Sequence, residues 1–437
     1  MRERSKYKIG ILSLGCPRNL VDSESILGRL ELRGYPVVDI ERCDVAIVNT
    51  CAFIEDAKAE SIDAILDLIE LKRKGKLKKV IVYGCLAQRY KDKLRRELPG
   101  VDAFLGNISL NHSPKGRFSI TAKHYAYVKI CEGCINNCSY CVIPKIKPRF
   151  MSLDINSVLS KIEMLDKERI QELNIIGQDI TGYGMDLYGT RKLPELLNKI
   201  IKKTRNINWI RLLYLYPNRI SDELLKLIRD EPRICKYIDL PLQHINNRVL
   251  RLMQRHTTKN DIVRLIEKIR KRIPEVAIRT SLIVGFPSET DKEFKELLKF
   301  IKEVRFERLG AFIYSREEGT TAYNFKKQIP HKIKIERFNN LMLEQQRVSQ
   351  DINKKFLNQT LNILIDEKEK DFYPVRKDAS GDKNFSNGVY LGRSQYDAPE
   401  VDGLVYVNAK EELKAGDFVK VKIIDTLEYD LVGEVYK

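Results

Sequence analysis

Four cysteines fall within eleven residues in CEGCINNCSYC, Cys131 to Cys141. Three of them, Cys134, Cys138 and Cys141, are spaced CxxxCxxC. A zinc site made of two CxxC pairs usually keeps the pairs a dozen or more residues apart so that a hairpin can form between them. The gap here is too tight for that hairpin. Thiolates this close suit an iron-sulfur cluster, whose several irons spread the ligands over a larger body. Three ligands on a four-iron cluster leave one iron open to a substrate or cofactor, whereas four would close it and favour plain electron transfer. Cys131 is read as a small buried residue in preference to a fourth ligand. A zinc or redox-thiol site is the competing reading of the triplet.

A second triplet is built differently. KIGILSLGC, DVAIVNTC and KVIVYGC are short apolar runs ending on Cys16, Cys51 and Cys85. Rich in β-branched residues and separated by helix-period stretches such as SESILGRLELRG, they predict parallel strands of an open α/β sheet. Sites in such sheets form outside the carboxyl ends of the strands, where these three cysteines can converge. Buried cysteines at strand ends are often only small hydrophobes, but three strands each ending on one are hard to explain by packing. The triplet is read as a second cluster with an open iron. Cys43 precedes its strand and belongs to the opposite edge.

The elements that must position these residues divide the 437-residue chain in three. Residues 1–116 form the N-terminal open parallel α/β sheet. After the polar join NISLNHSPKGR, residues 117–357 alternate six strands (YAYVKI, ELNIIGQD, IRLLYLYP, YIDLPLQH, AIRTSLIVGFP, RLGAFIYSR) with helices. The pattern predicts a partial (β/α) barrel with its chemistry at the strand C-termini. A helix from His331 leads out of it. Residues 358–437 carry short strands with turns between them (LNILID, GVYLGR, GLVYVN, FVKVKIID), read as a small antiparallel β-barrel.

Composition places the chain among globular proteins, with no apolar run near the roughly 18 to 20 residues that span a bilayer. No membrane association is expected. The N-terminal apolar run is too short and too interrupted for a signal peptide, so a cytoplasmic location is expected. A reducing compartment turns clustered cysteines toward metal binding. The net charge of +18 suits an anionic partner such as RNA or a ribosome. From Gln359 onward, however, 16 acidic and 11 basic residues give −5, so the remainder carries +23.

CxxxCxxC after the first strand of a βα barrel resembles the radical S-adenosylmethionine superfamily. The two triplets with a terminal small barrel are similar to the methylthiotransferases, which join an N-terminal methylthiotransferase domain, a radical S-adenosylmethionine barrel and a TRAM domain. SLGCPRNLVDSE, VNTCAFIEDAKAESID, RLLYLYP, LPLQHINNRVL, LIVGFPSET, YSREEGT and APEVDGLVYV resemble most the ribosomal-protein branch. Ser288 stands where the family usually has glycine, and Cys131 where another residue is usual. The resemblance implies two 4Fe-4S clusters, on Cys16, Cys51 and Cys85 and on Cys134, Cys138 and Cys141, together with S-adenosyl-L-methionine. It implies insertion of a methylthio group on the β-carbon of an aspartate in small-subunit ribosomal protein twelve, free or on the ribosome. One cofactor molecule would methylate sulfur at the N-terminal cluster. Another, cleaved reductively at the barrel cluster, would give the 5'-deoxyadenosyl radical that abstracts hydrogen from carbon. An external reductant of flavodoxin or ferredoxin type is implied. A tRNA adenosine methylthiotransferase is the alternative, and a non-enzymatic iron-sulfur RNA-binding factor is a further rival.

Supporting residues follow from strand ends. In this superfamily Gly177, Gln178 and Asp179 occupy a position that commonly contacts the cofactor's amino group; a plain polar loop is the other reading. Gln243 is a further cofactor-binding candidate, with His244 beside it. Gly285, Phe286 and Pro287 are candidates for the adenosine pocket, although Gly-x-Pro is also ordinary turn chemistry. Tyr214 and Tyr216 line either that pocket or the core. The acidic tail opposes phosphate binding and suits a basic ribosomal protein, with Glu400, Asp402, Glu411 and Glu412 as its contacts. Contact with rRNA falls to the +23 remainder.

Overall fold

A computed structural model describes residues 7–106, 118–369 and 388–436. The join NISLNHSPKGR, and with it the boundary at 116/117, lies outside the described residues. The N-terminal unit runs β1 (Ile9–Ser13), α1 (Pro17–Leu32), β2 (Val45–Thr50), α2 (Glu55–Arg73), β3 (Lys79–Gly84), α3 (Cys85–Glu97) and β4 (Ala103–Leu105). Its four strands are parallel in the order β1-β2-β3-β4. Every residue of β2 is buried, the signature of a strand covered on both faces. Proline at its first position starts α1 directly after Cys16, where the missing N–H is no loss.

The central unit runs β5 (Tyr125–Lys129), β6 (Cys131–Glu132), α4 (Ile143–Ile146), β7 (Met151–Ser152), α5 (Ile155–Lys167), β8 (Glu172–Ile176), α6 (Met185–Tyr188), α7 (Leu193–Lys203), β9 (Trp209–Leu212), α8 (Asp222–Asp230), β10 (Tyr237–Asp239), α9 (Asn247–Leu252), α10 (Lys259–Arg272), β11 (Ala277–Val284), α11 (Asp291–Val304), β12 (Arg308–Ile313) and α12 (His331–Asn353). Strands β5-β8-β9 and β10-β11-β12 form two parallel sheets. They meet where the Leu215 N–H donates to the Asp239 carbonyl at 3.0 Å and the Tyr214 N–H to its Oδ2 at 2.8 Å. Strand β9 stops at Leu212, short of the whole RLLYLYP run, because Tyr214 takes a left-handed φ of 66°. Alternation along the strands sends Leu173, Ile175, Ile210, Leu212 and Ile278 outward into the core shared with the helices. Glu172, Arg211, Tyr237 and Asp239 face the barrel interior and are buried there, with the half-buried Arg279 beside them, among partners of opposite charge or hydrogen-bonding character. Capping boxes at Thr258/Asp261 and Thr290/Glu293 open α10 and α11.

The C-terminal unit is a closed barrel of β13 (Thr360–Lys368), β14 (Val389–Arg393), β15 (Val405–Asn408), β16 (Phe418–Thr426) and β17 (Leu431–Val435), in the order β13-β14-β15-β17-β16. Strand β17 was not expected from the sequence. The small barrel docks at the N-terminal ends of the large barrel's strands, where Trp209 packs edge-on against Phe418 of β16 at 4.8 Å. Of the acidic residues expected to face a partner, Glu400, Glu411 and Glu412 are exposed, whereas the Asp402 side chain is turned into the fold and is only 4% exposed. Asp366 pairs with Arg393 at 2.8 Å, Asp397 with Arg308 at 2.5 Å, and Asp402 with Arg279 at 3.4 Å and the Tyr237 hydroxyl at 2.5 Å. Glu400 accepts from the Tyr125 hydroxyl at 3.0 Å. The pairs of Asp397 with Arg308 and Asp402 with Arg279 and the Tyr125–Glu400 bond hold the small barrel to the large one and close its lower end, while Asp366 and Arg393 pair within the small barrel.

Candidate active site

The other end of the large barrel faces the N-terminal sheet. Cys16 caps the N-terminus of α1, Cys51 follows β2 and Cys85 opens α3, so three adjacent parallel strands deliver their cysteines to one edge. Asn19 ties the three loops together. Its Nδ2 donates to the carbonyls of Leu14 and Thr50 at 3.0 and 3.2 Å, its Oδ1 lies 3.8 Å from the Cys85 sulfur, and its carbonyl accepts from Asn49 at 2.7 Å. Gly15 has φ 86°, and a Cβ there would lie 2.8 Å from the Cys51 Cβ, so the loop closes only on glycine.

Burial alone would raise the Cys16 thiol, yet the Arg18 charge and hydrogen bond, with backbone N–H groups of α1, hold it below its ordinary value. Burial raises Cys51, and with the neighbouring thiols it pushes Cys85 up to about 12. In the barrel loop burial likewise raises Cys134 and, with Cys138 adjacent, pushes Cys141 up to about 12. A negative body needs positive partners here, and Arg255 supplies one 4.0 Å from the Cys138 sulfur.

The thiols of each triplet interact electrostatically with one another and none is in a disulfide. Among the described residues, however, no three His, Cys, Asp or Glu side chains converge on the space of a single metal ion. Cys131 is fully buried against Gly177, where a Cβ would come 2.5 Å from its sulfur. The residues flanking the barrel triplet also leave buried polar atoms without a protein partner, among them Gln178 Oε1, the Tyr216 hydroxyl and Arg255 Nε. The Tyr216 ring lies between Arg219 and Arg255, at 4.5 and 4.3 Å. Such a polar, arginine-lined wall beside three thiols fits a zwitterionic cofactor bound at an open iron.

The other sequence candidates are distributed as follows. Gly177, Gln178 and Asp179 follow β8 at the barrel mouth. Asp179 is already engaged, by Arg219 at 2.5 Å, Asn136 at 2.8 Å and the Thr181 N–H at 3.0 Å. Asn136 in turn donates to the Cys134 sulfur at 3.2 Å, so Asp179 orients the cysteine loop through it. Gln178 donates to Glu132 at 3.0 Å. Gln243 sits at φ 73° and bridges to β11 through its backbone. His244 is wholly buried, 3.6 Å from Glu289. Gly285, with φ 71°, turns tightly over Lys334. Phe286 is fully buried against Tyr314 and Phe325 and therefore packs in a core, with Pro287 buried beside it. Ser288 adopts φ 67°, which explains why glycine is expected there; Arg248 holds its hydroxyl and carbonyl at 3.1 and 2.6 Å.

Sequence reasoning missed the residues that fasten the two halves of the site. Lys129 lies between Asp22 of α1 and Glu132 at 2.5 Å each, and Lys147 reaches Glu132 at 3.0 Å, all four buried. Although burial opposes its charge, Glu132 is held down to about 2 by Lys129 and Lys147. On the other side, Arg89 and Lys58 clasp Glu317 at 2.6 and 3.1 Å. Partners so distant in sequence leave no periodic signal.

Comparison with known proteins agrees with this architecture. Residues 8–106 match the uncharacterized protein family UPF0004, residues 128–301 the radical SAM superfamily and residues 382–435 the TRAM domain. Among solved structures, a radical S-adenosylmethionine methyltransferase, TsrM, from Kitasatospora setae shares the fold, with TM-score 0.54 and 13% identity over 79% of this chain and 89% of that one. The barrel and its cysteine loop thus define a radical S-adenosylmethionine enzyme. Ribosomal protein uS12 methylthiotransferase RimO of Clostridioides difficile is 43% identical over 98% of both chains, and that of Desulforamulus reducens is 45% identical over 98% of this chain and 99% of its own. The chain belongs to this RimO family of methylthiotransferases.

Proposed function

We propose that the chain inserts a methylthio group on the β-carbon of an aspartate in ribosomal protein uS12, using two 4Fe-4S clusters and S-adenosyl-L-methionine. The observation that carries this reading is the placement of a strand-end cysteine triplet opposite a CxxxCxxC loop, with buried ion pairs fastening one over the other. Cys16, Cys51 and Cys85 would hold one cluster, and Cys134, Cys138 and Cys141 the other. When bound, these groups supply one-electron chemistry strong enough for an unactivated carbon, and sulfur beside it. The chain's own residues orient and enclose. Asp179, through Asn136 and Arg219, fixes the barrel cysteine loop. Gln178 Oε1 and Tyr216 offer unpartnered polar atoms to the cofactor. Gly285 shapes the turn, while Phe286 and Pro287 support it from the core. Gln243 holds its strand end in register from a strained backbone.

The tRNA alternative is not favoured, since the relatives compared are named for ribosomal protein uS12. A ribosomal substrate places the enzyme in the cytoplasm, and no helix among the described residues is long and apolar enough to cross a membrane. An acidic flavodoxin or ferredoxin suits the basic chain as reductant, and rRNA contact suits its +23 portion. Iron and sulfide counting after anaerobic reconstitution tests the two-cluster reading. About eight irons are expected, falling to about four in either Cys51→Ala or Cys134→Ala; about four in the unaltered protein would remove the second cluster.

A further inference from the structure

Arg18, the basic residue of SLGCPRNLVDSE, which lowers the Cys16 thiol, makes contacts that reach both halves of the site. Its Nε donates to the Cys16 sulfur at 3.3 Å, its Nη1 donates to the Gly177 carbonyl at 3.1 Å, and its guanidinium lies 4.5 Å over the Tyr214 ring. Tyr214 is itself locked, with φ 66° and its N–H on Asp239 at 2.8 Å. Gly177 is fixed from behind by Cys131, with no space for a Cβ. The arginine fork therefore spans from the sulfur of the N-terminal triplet to the end of β8, against the face of an aromatic residue whose backbone is held. Arginine suits this role because its planar donors point in fixed directions and its charge is permanent.

Resting on the two-cluster reading, we propose that Arg18 is a positioning residue that sets the reduction potential of the N-terminal cluster through its bond to the Cys16 sulfur, and that Gly177 and Tyr214 hold it there. A permanent cation and an N–H···S bond both stabilise the more negative, reduced cluster, so both raise its potential. The barrel mouth thereby dictates how readily the opposite cluster accepts an electron, because the guanidinium that touches the sulfur is anchored on barrel residues.

The test uses the full chain carrying Cys134→Ala, Cys138→Ala and Cys141→Ala, so that signals arise from the N-terminal triplet alone. Iron is counted and the midpoint potential is measured by dithionite titration followed by electron paramagnetic resonance. If this background takes up no iron, the two-cluster reading fails, independently of Arg18. With iron present, Arg18→Met should shift the reduction equilibrium at least tenfold toward the oxidised form, about 59 mV for a one-electron couple. Arg18→Lys, which keeps the charge but cannot reach sulfur and carbonyl together, should fall between. Tyr214→Leu, which frees the guanidinium, should move the equilibrium in the same direction by less. A potential in Arg18→Met within twofold of the background overturns the proposal. Should that variant fail to load iron, Arg18→Lys decides: a shift toward the oxidised form supports it, and no shift overturns it.

Discussion

Replacing Glu172 by glutamine isolates the interaction that seats the small barrel beneath the large one. Glu172 is wholly buried and receives Arg211 Nε at 2.7 Å on one oxygen and Arg393 Nη1 at 2.6 Å on the other. Arg393 keeps Asp366 as a second carboxylate. Arg211 keeps only the Gln395 carbonyl at 2.7 Å and the faces of Tyr237 and Trp209, and its Nη2 already lacks a partner. Glu172→Gln therefore strands a guanidinium with no exposed surface. Removing one partner of a buried ion pair typically costs about 3–5 kcal/mol, because the remaining charge stays desolvated. Arg211 dominates that cost, and Glu172→Gln with Arg211→Met should recover most of it, as apolar replacement of a buried pair is often neutral. Trp209 is the chain's single tryptophan and packs on Phe418 across the interface, so its fluorescence reports undocking during guanidinium titration. The single variant should undock at markedly lower denaturant than the unaltered protein. A single variant within about 0.5 kcal/mol of the unaltered protein, the range of ordinary surface substitutions, or a double variant no better than the single, would refute the reasoning.

Further predictions concern the upper site and the pH response. Gly15→Ala forces a left-handed backbone, a strain of about 1–3 kcal/mol, and drives a methyl group into Cys51, 2.8 Å away. Reconstituted protein should then hold about four irons in place of eight, with the barrel cluster's spectrum intact; full loading would contradict the account of the loop. Lys161 is lowered to about 8 by burial and by the charges of Lys129 and Arg29. Between about pH 8 and its ordinary pKa near 10.4 the unfolded chain binds more protons there than the folded one, so stability from this group rises with pH across that window. Lys161→Met should stabilise the protein at pH 7, with an advantage that shrinks toward pH 10.5; denaturation at both pH values checks it.

Much of the fold was legible because it rests on local pattern. Helix α11 coincides with DKEFKELLKFIKEV, whose apolar period and Thr290 cap are both local signals. The strand-end cysteines were visible as a repeat, since parallel βα units bring equivalent positions to one edge. Strand β17 escaped because Gly433 interrupts an already short LVGEV, and the reason for that glycine is the neighbouring strand: a Cβ would strike Val421 at 2.4 Å. The place of Asp402 was not legible because a charge count carries no information on partners, and this residue meets Tyr237 across 165 residues. For Phe286 the strand-end motif offered an adenosine pocket or ordinary turn chemistry, and its packing against Tyr314 and Phe325 could not be read from that motif. Arg18 likewise looks like an ordinary basic residue until Gly177, 159 residues away, lies beside it.

The central claim is tested most directly by the mass of the substrate. Reconstituted enzyme, S-adenosyl-L-methionine, reductant and ribosomal protein uS12 are incubated without oxygen, and the protein is digested and weighed. A gain of about 46 Da, one hydrogen exchanged for SCH3, on a single aspartate, and its loss in both Cys51→Ala and Cys134→Ala, is the predicted result. An unmodified protein, with iron still bound at both triplets and the methylthio group found instead on tRNA adenosine, would contradict it.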